Sequence, residues 1–253
     1  MFKLTKYEFR KNITAPVILL VIVGLLEVVL LTSLAFESEK YSVLAYSLQV
    51  IIMFFSFFMI LILSIISYSR ELKSKSSYMT FMAPLSSYQI IGSKLLTTFI
   101  FAAIAGILFF LLLPMNAAAI SSTFEEVGSF LDALKELMDF FDYNWTKVII
   151  NGAMILFELM ISFYFVVALA YFAISLSSTV FQNKKFKWIF TSIVFIALYS
   201  VATYVAFKLP TIGEPTTLVE AFIGEIPMLS FYLACIIGGY IGSAMLLEKK
   251  ISL

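Results

Sequence analysis

Six long apolar runs divide the chain: roughly Pro16–Phe36, Val43–Tyr68, Ile90–Met115, Val148–Ser178, Lys187–Phe207 and Met228–Leu247. Each reaches about 20 residues or more, the length a helix needs to cross the hydrocarbon of a bilayer. The runs are continuous and lack inside–outside alternation, which argues against a barrel. An open sheet is excluded because lipid cannot satisfy its edge hydrogen bonds. The pattern predicts an all-α integral membrane protein with six transmembrane helices.

The stretches between the runs have patterns of their own. Residues 1–15 are basic and place Phe2, Phe9 and Ile13 at helical spacing, which predicts an amphipathic interfacial helix before Pro16 opens the first span. A plain charged tail is the alternative. Residues 69–93 form a long polar loop that turns at Pro84, where Ser86 can cap the next helix. In the segment 116–147, Val127, Phe130, Leu131, Leu134, Leu137, Met138 and Phe141 recur at i, i+3, i+4, i+7. This predicts an amphipathic helix, with Thr123 and Glu126 at capping-box spacing. The segment 208–227 is broken by Pro210, Gly213, Pro215, Gly224 and Pro227, and short helices such as Thr217–Ile223 are expected to dip back into the membrane there. In the last run, Ala234, Gly238 and Gly242 sit four apart, as on a close-packing helix face.

Charge gives these elements an orientation. Lys3, Lys6, Arg10 and Lys11, then Arg70, Lys73, Lys75 and Lys94, then Lys184, Lys185 and Lys187, and finally Lys249 and Lys250 all fall on one side of the six crossings. The other side holds Lys40, Lys135, Lys147 and Lys208. Lys and Arg accumulate in cytoplasmic loops, so both termini are expected inside, and 116–147 and 208–227 outside. The net charge of +1 conceals this asymmetry. Composition agrees: 62% of the 253 residues are hydrophobic and 13% charged, against roughly 45–50% apolar, glycine included, in soluble domains. One integral membrane domain accounts for residues 1–253. The single Cys235 permits no intrachain disulfide.

Little in the chain points to catalysis. It contains no His, so a His-ligated metal site and His-based triads are excluded. No P-loop is present; Gly92-Ser93-Lys94 is a fragment of that pattern without the preceding glycine. Glu27 and Glu158 are the two ionisable groups read as lying within spans. Such groups face protein or water, because a charge at the bilayer centre costs about 2.5–3.5 kcal/mol on insertion scales. They are candidates for a translocation pathway that meets a cationic cargo or changes protonation. The alternative is a neutral or hydrogen-bonded carboxyl with a structural role.

Ser69-Arg70-Glu71-Leu72, followed by Ala83-Pro84-Leu85-Ser86-Ser87-Tyr88-Gln89-Ile90-Ile91-Gly92-Ser93-Lys94-Leu95-Leu96, resembles the loop after span two of the ABC-2 type permeases. These are the membrane subunits of bacterial ATP-driven exporters. The likeness extends at the level of topology to nearly the whole chain. It implies the ABC-2 permease fold (type II or type V exporter), with an interfacial N-terminal helix and a cytoplasmic coupling helix in 69–93. By this resemblance Glu71, Tyr78, Phe81 and Met82 would contact the ATPase. Two permease subunits, as a homodimer, would pair with two separate ATPase subunits that bind ATP and Mg, in the bacterial plasma membrane. The chain itself would need no cofactor and hydrolyse nothing, and no nucleic acid partner is expected. Permeases of this size resemble exporters of amphipathic peptides, including the phenol-soluble modulin toxins. Lipids or hydrophobic drugs are the rival cargo, and an ion-coupled transporter using Glu27 and Glu158 the rival mechanism.

Overall fold

The computed structural model describes residues 2–73, 86–124, 145–180, 187–211 and 218–251. Among these residues the chain is helical, without strands. The helices are α1 (Phe2–Asn12), α2 (Thr14–Ala35), α3 (Glu39–Lys73), α4 (Ser87–Thr123), α5 (Trp145–Val180), α6 (Lys187–Phe207), α7 (Leu218–Gly224) and α8 (Ile226–Ile251). Six of them, α2 to α6 and α8, are long and apolar enough to cross a membrane, and each coincides with one of the six apolar runs, α2 stopping one residue short of Phe36. The all-α six-span fold thus follows from the hydrophobic pattern.

The ends of the helices are where the structure departs from that pattern. At about 1.5 Å per residue, α3, α4 and α5 exceed the ~30 Å hydrocarbon core, having 35, 37 and 36 residues. The third span was expected to stop at Met115. α4 continues past it without a break, through Pro114 and Asn116 to Thr123, so residues 116–123 extend the span helix. Ala117, Ala118 and Ala119 favour helix, and the Asn116 side chain finds partners on neighbouring helices instead of breaking its own. Thr123 closes α4, its hydroxyl donating back to the Ala119 carbonyl at 2.9 Å. The amphipathic pattern from Val127 to Phe141 lies outside the described residues.

Other local signals are realised as read. Ser86 caps α4, its hydroxyl accepting from the Gln89 amide at 3.3 Å. α7 is the short helix anticipated within 208–227, and α8 starts at once after Glu225, with Pro227 in its first turn. The close-packing face of α8 keeps Gly242, where a Cβ would lie 2.7 Å from the Phe172 ring, but takes Gly239 in place of Gly238. A Cβ on Gly238 would meet nothing within 4 Å, whereas one on Gly239 would lie 3.1 Å from the Ala168 carbonyl oxygen of α5.

The residues pack as two compact units. The first comprises Met1–Phe9, Leu61–Phe99 and Phe157–Leu253; the second comprises Arg10–Ile60 and Ile100–Leu156. In the first, α5 is central: Val167, Ala168, Tyr171 and Ala173 are fully buried. A satellite core joins Phe165, Leu169 and Ala202, with Phe231 and Tyr232 against them. In the second, Leu30, Ala45, Tyr46, Ala117 and Ile120 form the core across α2, α3 and α4. Most large apolar side chains on the spans are otherwise exposed, as on α6 at Ile193, Ile196, Val201 and Tyr204. That suits helices whose surroundings are lipid.

Candidate functional site

Two clusters of polar side chains interrupt these apolar cores, one in each unit. The first is centred on Lys94, seven residues into α4. This lysine is 3% exposed, and its Nζ lies 3.1 Å from Glu8 Oε2 of α1 and 2.8 Å from Glu71 Oε2 of α3. The contacts are ion pairs held by charge and distance more than by well-directed hydrogen bonds. Three elements thus converge on one ammonium. On α1, Thr5 and Glu8 are buried, while Lys3, Lys6 and Arg10 and the aromatic Phe2 and Tyr7 are exposed. Buried charges of this kind persist only when paired, because desolvation would otherwise expel them.

A ladder of hydroxyls continues from the lysine along α3, α4 and α5. Thr98 donates to the Lys94 carbonyl and bonds Ser64 at 2.8 Å, and Ser64 bonds Tyr171 at 2.7 Å. Tyr171 stacks on Tyr68 with centroids 4.3 Å apart, and Tyr68 bonds Ser175 at 2.5 Å. Hydroxyls can donate and accept, so the ladder satisfies itself without further charge.

In the second unit the polar centre is Glu27 of α2. Its Oε2 accepts from Gln49 Nε2 of α3 at 2.7 Å and from Asn116 Nδ2 of α4 at 2.8 Å. The same Asn116 nitrogen donates to Gln49 Oε1 at 2.9 Å, closing a ring of three side chains. Gln49 is fully buried and Asn116 is 4% exposed, while Glu27 is half-buried. Glu158 has a different setting: on α5, in the first unit, its side chain lies within hydrogen-bonding reach of Glu225, between α7 and α8.

The site residues expected from sequence therefore separate. Glu27 and Glu158 fall in different units, each with partners of its own. Glu71 is turned onto Lys94, with its side chain 15% exposed. Tyr78, Phe81 and Met82 lie outside the described residues. Sequence reasoning missed Lys94, Glu8, Gln49 and Asn116. Lys94 was counted among loop cations, yet it falls inside the apolar run that begins at Ile90. That was the available signal: a lysine within a span needs a buried carboxylate, and Glu71 closes the preceding span. Gln49 and Asn116 carried a weaker signal, as amides in otherwise apolar stretches, which glue helices together.

An apolar cavity of about 430 Å³ opens in the first unit between α3, α5 and α6, lined by Leu72, Ile174, Phe195 and Trp188 with the hydroxyls of Ser69, Ser177 and Thr191. Among the described residues no group of His, Cys, Asp and Glu could hold a metal ion.

Residues 29–134 match the family model described as ABC-2 family transporter protein. The matched stretch is less than half of the chain and contains Gln49, Glu71, Lys94 and Asn116. It supports a membrane subunit of an ABC transporter. No curated protein and no solved structure matches the chain.

Proposed function

We propose that this chain is the membrane-spanning subunit of an ABC-2 type exporter, driven by a separate ATPase and carrying amphipathic peptides outward. The observation that carries this reading is the family likeness across 29–134, set within six helices of transmembrane length. The charge pattern adds the orientation, with both termini and the 69–93 loop on the cytoplasmic side. The Lys94 cluster adds a mechanical rationale. It ties α1, the end of α3 and the start of α4 into one body at the base of that loop. A push on the loop by a closing ATPase would then be passed to three elements together. Such coupling needs two states biased by nucleotide and no chemistry in this chain. Tyr78, Phe81 and Met82 would be the loop's anchors on the ATPase.

The cargo follows from what the spans offer. Their surfaces are apolar and aromatic, with few charges, which suits a helix with one apolar face and gives little to pair with a sugar or nucleotide. One observation favours the rival cargo of lipids or hydrophobic drugs: the apolar cavity beside Trp188 would accept an acyl chain.

Cysteine labelling tests the orientation on which the assignment depends. In a Cys235→Ala background, cysteines at Ser76 and Asn183 should resist an impermeant thiol reagent in intact cells, and cysteines at Ser129 and Thr216 should react. Reaction at Ser76 from outside would place the 69–93 loop away from any cytoplasmic ATPase and end the permease reading.

A further inference from the structure

Glu27 is a carboxyl inside a membrane span with partners on one oxygen and none on the other. Its Oε2 carries both amide bonds, from Gln49 and Asn116, while Oε1 takes no bond among the described residues. Asn116 Oδ1 is likewise without a donor among them. No Lys or Arg of the described residues lies within ion-pair distance of Glu27; Lys94, which pairs with Glu8 and Glu71, belongs to the other unit. A carboxyl in a span without a cation is costly, and a cation brought by a ligand would offset that cost.

The ring is also rigidly seated. Leu30 lies one turn from Glu27 on α2, Tyr46 one turn from Gln49 on α3, and Ile120 one turn from Asn116 on α4, and the three pack together in one buried core. Tyr46 is further fixed by its hydroxyl, which donates to the Leu113 carbonyl at 3.2 Å. The three polar side chains are thus held by one packed layer beneath them, which is the condition for a preorganised site.

We propose that Glu27, Gln49 and Asn116 form a recognition site for an ammonium group on the transported amphipath. The proposal rests on the transporter reading and adds to it the chemical class of what is recognised. The free acceptors select the ligand. Glu27 Oε1 and Asn116 Oδ1 match the donors of an ammonium, which carries three N–H bonds and no acceptor. A guanidinium prefers both oxygens of a carboxylate in a fork, and Oε2 is already occupied twice. A hard metal cation wants about six or more oxygens, far beyond the two free ones here. The ammonium could come from a peptide lysine or from a phosphatidylethanolamine headgroup, and the two sources are separable.

The test is binding to the whole chain in phosphatidylcholine nanodiscs, with no ATPase present. The probes are a synthetic Leu/Lys amphipathic helix, its lysine-acetylated form and its guanidinylated form. The free-amine peptide should bind about tenfold more tightly than the other two, a difference of about 1.4 kcal/mol. The preference should vanish in Glu27→Gln, whose amide oxygen can still accept from Gln49 and Asn116, and persist in Glu248→Gln, an exposed carboxyl on α8. A second readout needs no variant: the free-amine peptide should shield Glu27 from carbodiimide labelling, and the acetylated peptide should not. Exchange into phosphatidylethanolamine discs distinguishes the sources. Shielding of Glu27 by that lipid alone, with loss of the peptide preference, keeps the site and assigns its ammonium to the headgroup. Because no ATPase takes part, a negative result removes the site and leaves the permease reading standing. Equal binding of the three peptides to wild type, a preference that survives in folded Glu27→Gln, or labelling of Glu27 unaffected by both free-amine peptide and phosphatidylethanolamine would overturn the proposal.

Discussion

The two units meet the same problem, a charged side chain among apolar helices, in opposite ways. Around Lys94 the cation is resident, two carboxylates from α1 and α3 hold it, and hydroxyls continue the network to Ser175. Around Glu27 the carboxyl is resident, and its partners are neutral amides that occupy one oxygen. A closed ion cluster ties elements together and has little left to offer a ligand. A carboxyl with an open oxygen is a weaker tie and a better receptor. On the proposed reading, the first unit would transmit force and the second would recognise cargo.

The largest expected effect breaks the first cluster. Lys94→Met would leave Glu8 and Glu71 without their shared cation and should destabilise the chain by about 3–5 kcal/mol, the range for removing one partner of a buried ion pair. Thermal and denaturant unfolding in detergent would read it. Adding Glu8→Gln and Glu71→Gln to that variant should restore much of the loss, because the charges and not the packing would be the cause. A stable Lys94→Met would erase the contrast between the units.

A smaller effect is expected at Asn116. Asn116→Leu removes the donor shared by Glu27 and Gln49 and leaves Gln49 Oε1 buried without it. The cost should be about 1–2 kcal/mol, in line with interhelical side-chain hydrogen bonds and an unmet buried acceptor. The smallest belongs to Glu27→Gln. Its oxygen can keep both donors, so unfolding should shift by less than about 1 kcal/mol. A loss as large as that of Lys94→Met would make Glu27 a structural residue and sharpen the comparison the other way.

The legible and illegible parts of this chain divide by physical scale. A span is a property of some twenty consecutive residues, so the six apolar runs located six helices without any knowledge of packing. Short-range signals also worked where their chemistry is local: Ser86 caps α4, and α7 forms between the breakers of 208–227. What failed depended on neighbours across helices. Asn116 reads as the first residue of the segment between two spans, and it lies within α4, its amide donated to Glu27 and Gln49. Lys94 reads as a loop cation, and it is buried because Glu8 and Glu71 come from elsewhere in the chain. Gly238 and Gly239 are equally small, and only the rotation of α8 against Ala168 decides which is needed. Glu27 was singled out correctly as a polar intruder, but its partners could not be named from the pattern of one helix.

The central claim, that this chain moves cargo by the work of a separate ATPase, is tested most directly by flux. Proteoliposomes holding the chain with its ABC ATPase should transport a labelled Leu/Lys amphipathic helix when ATP and Mg are supplied on the ATPase side. Transport should stop with a non-hydrolysable analogue and should not respond to collapse of the proton gradient. Flux that continues without the ATPase and disappears with the proton gradient would contradict the account and make the chain an ion-coupled transporter.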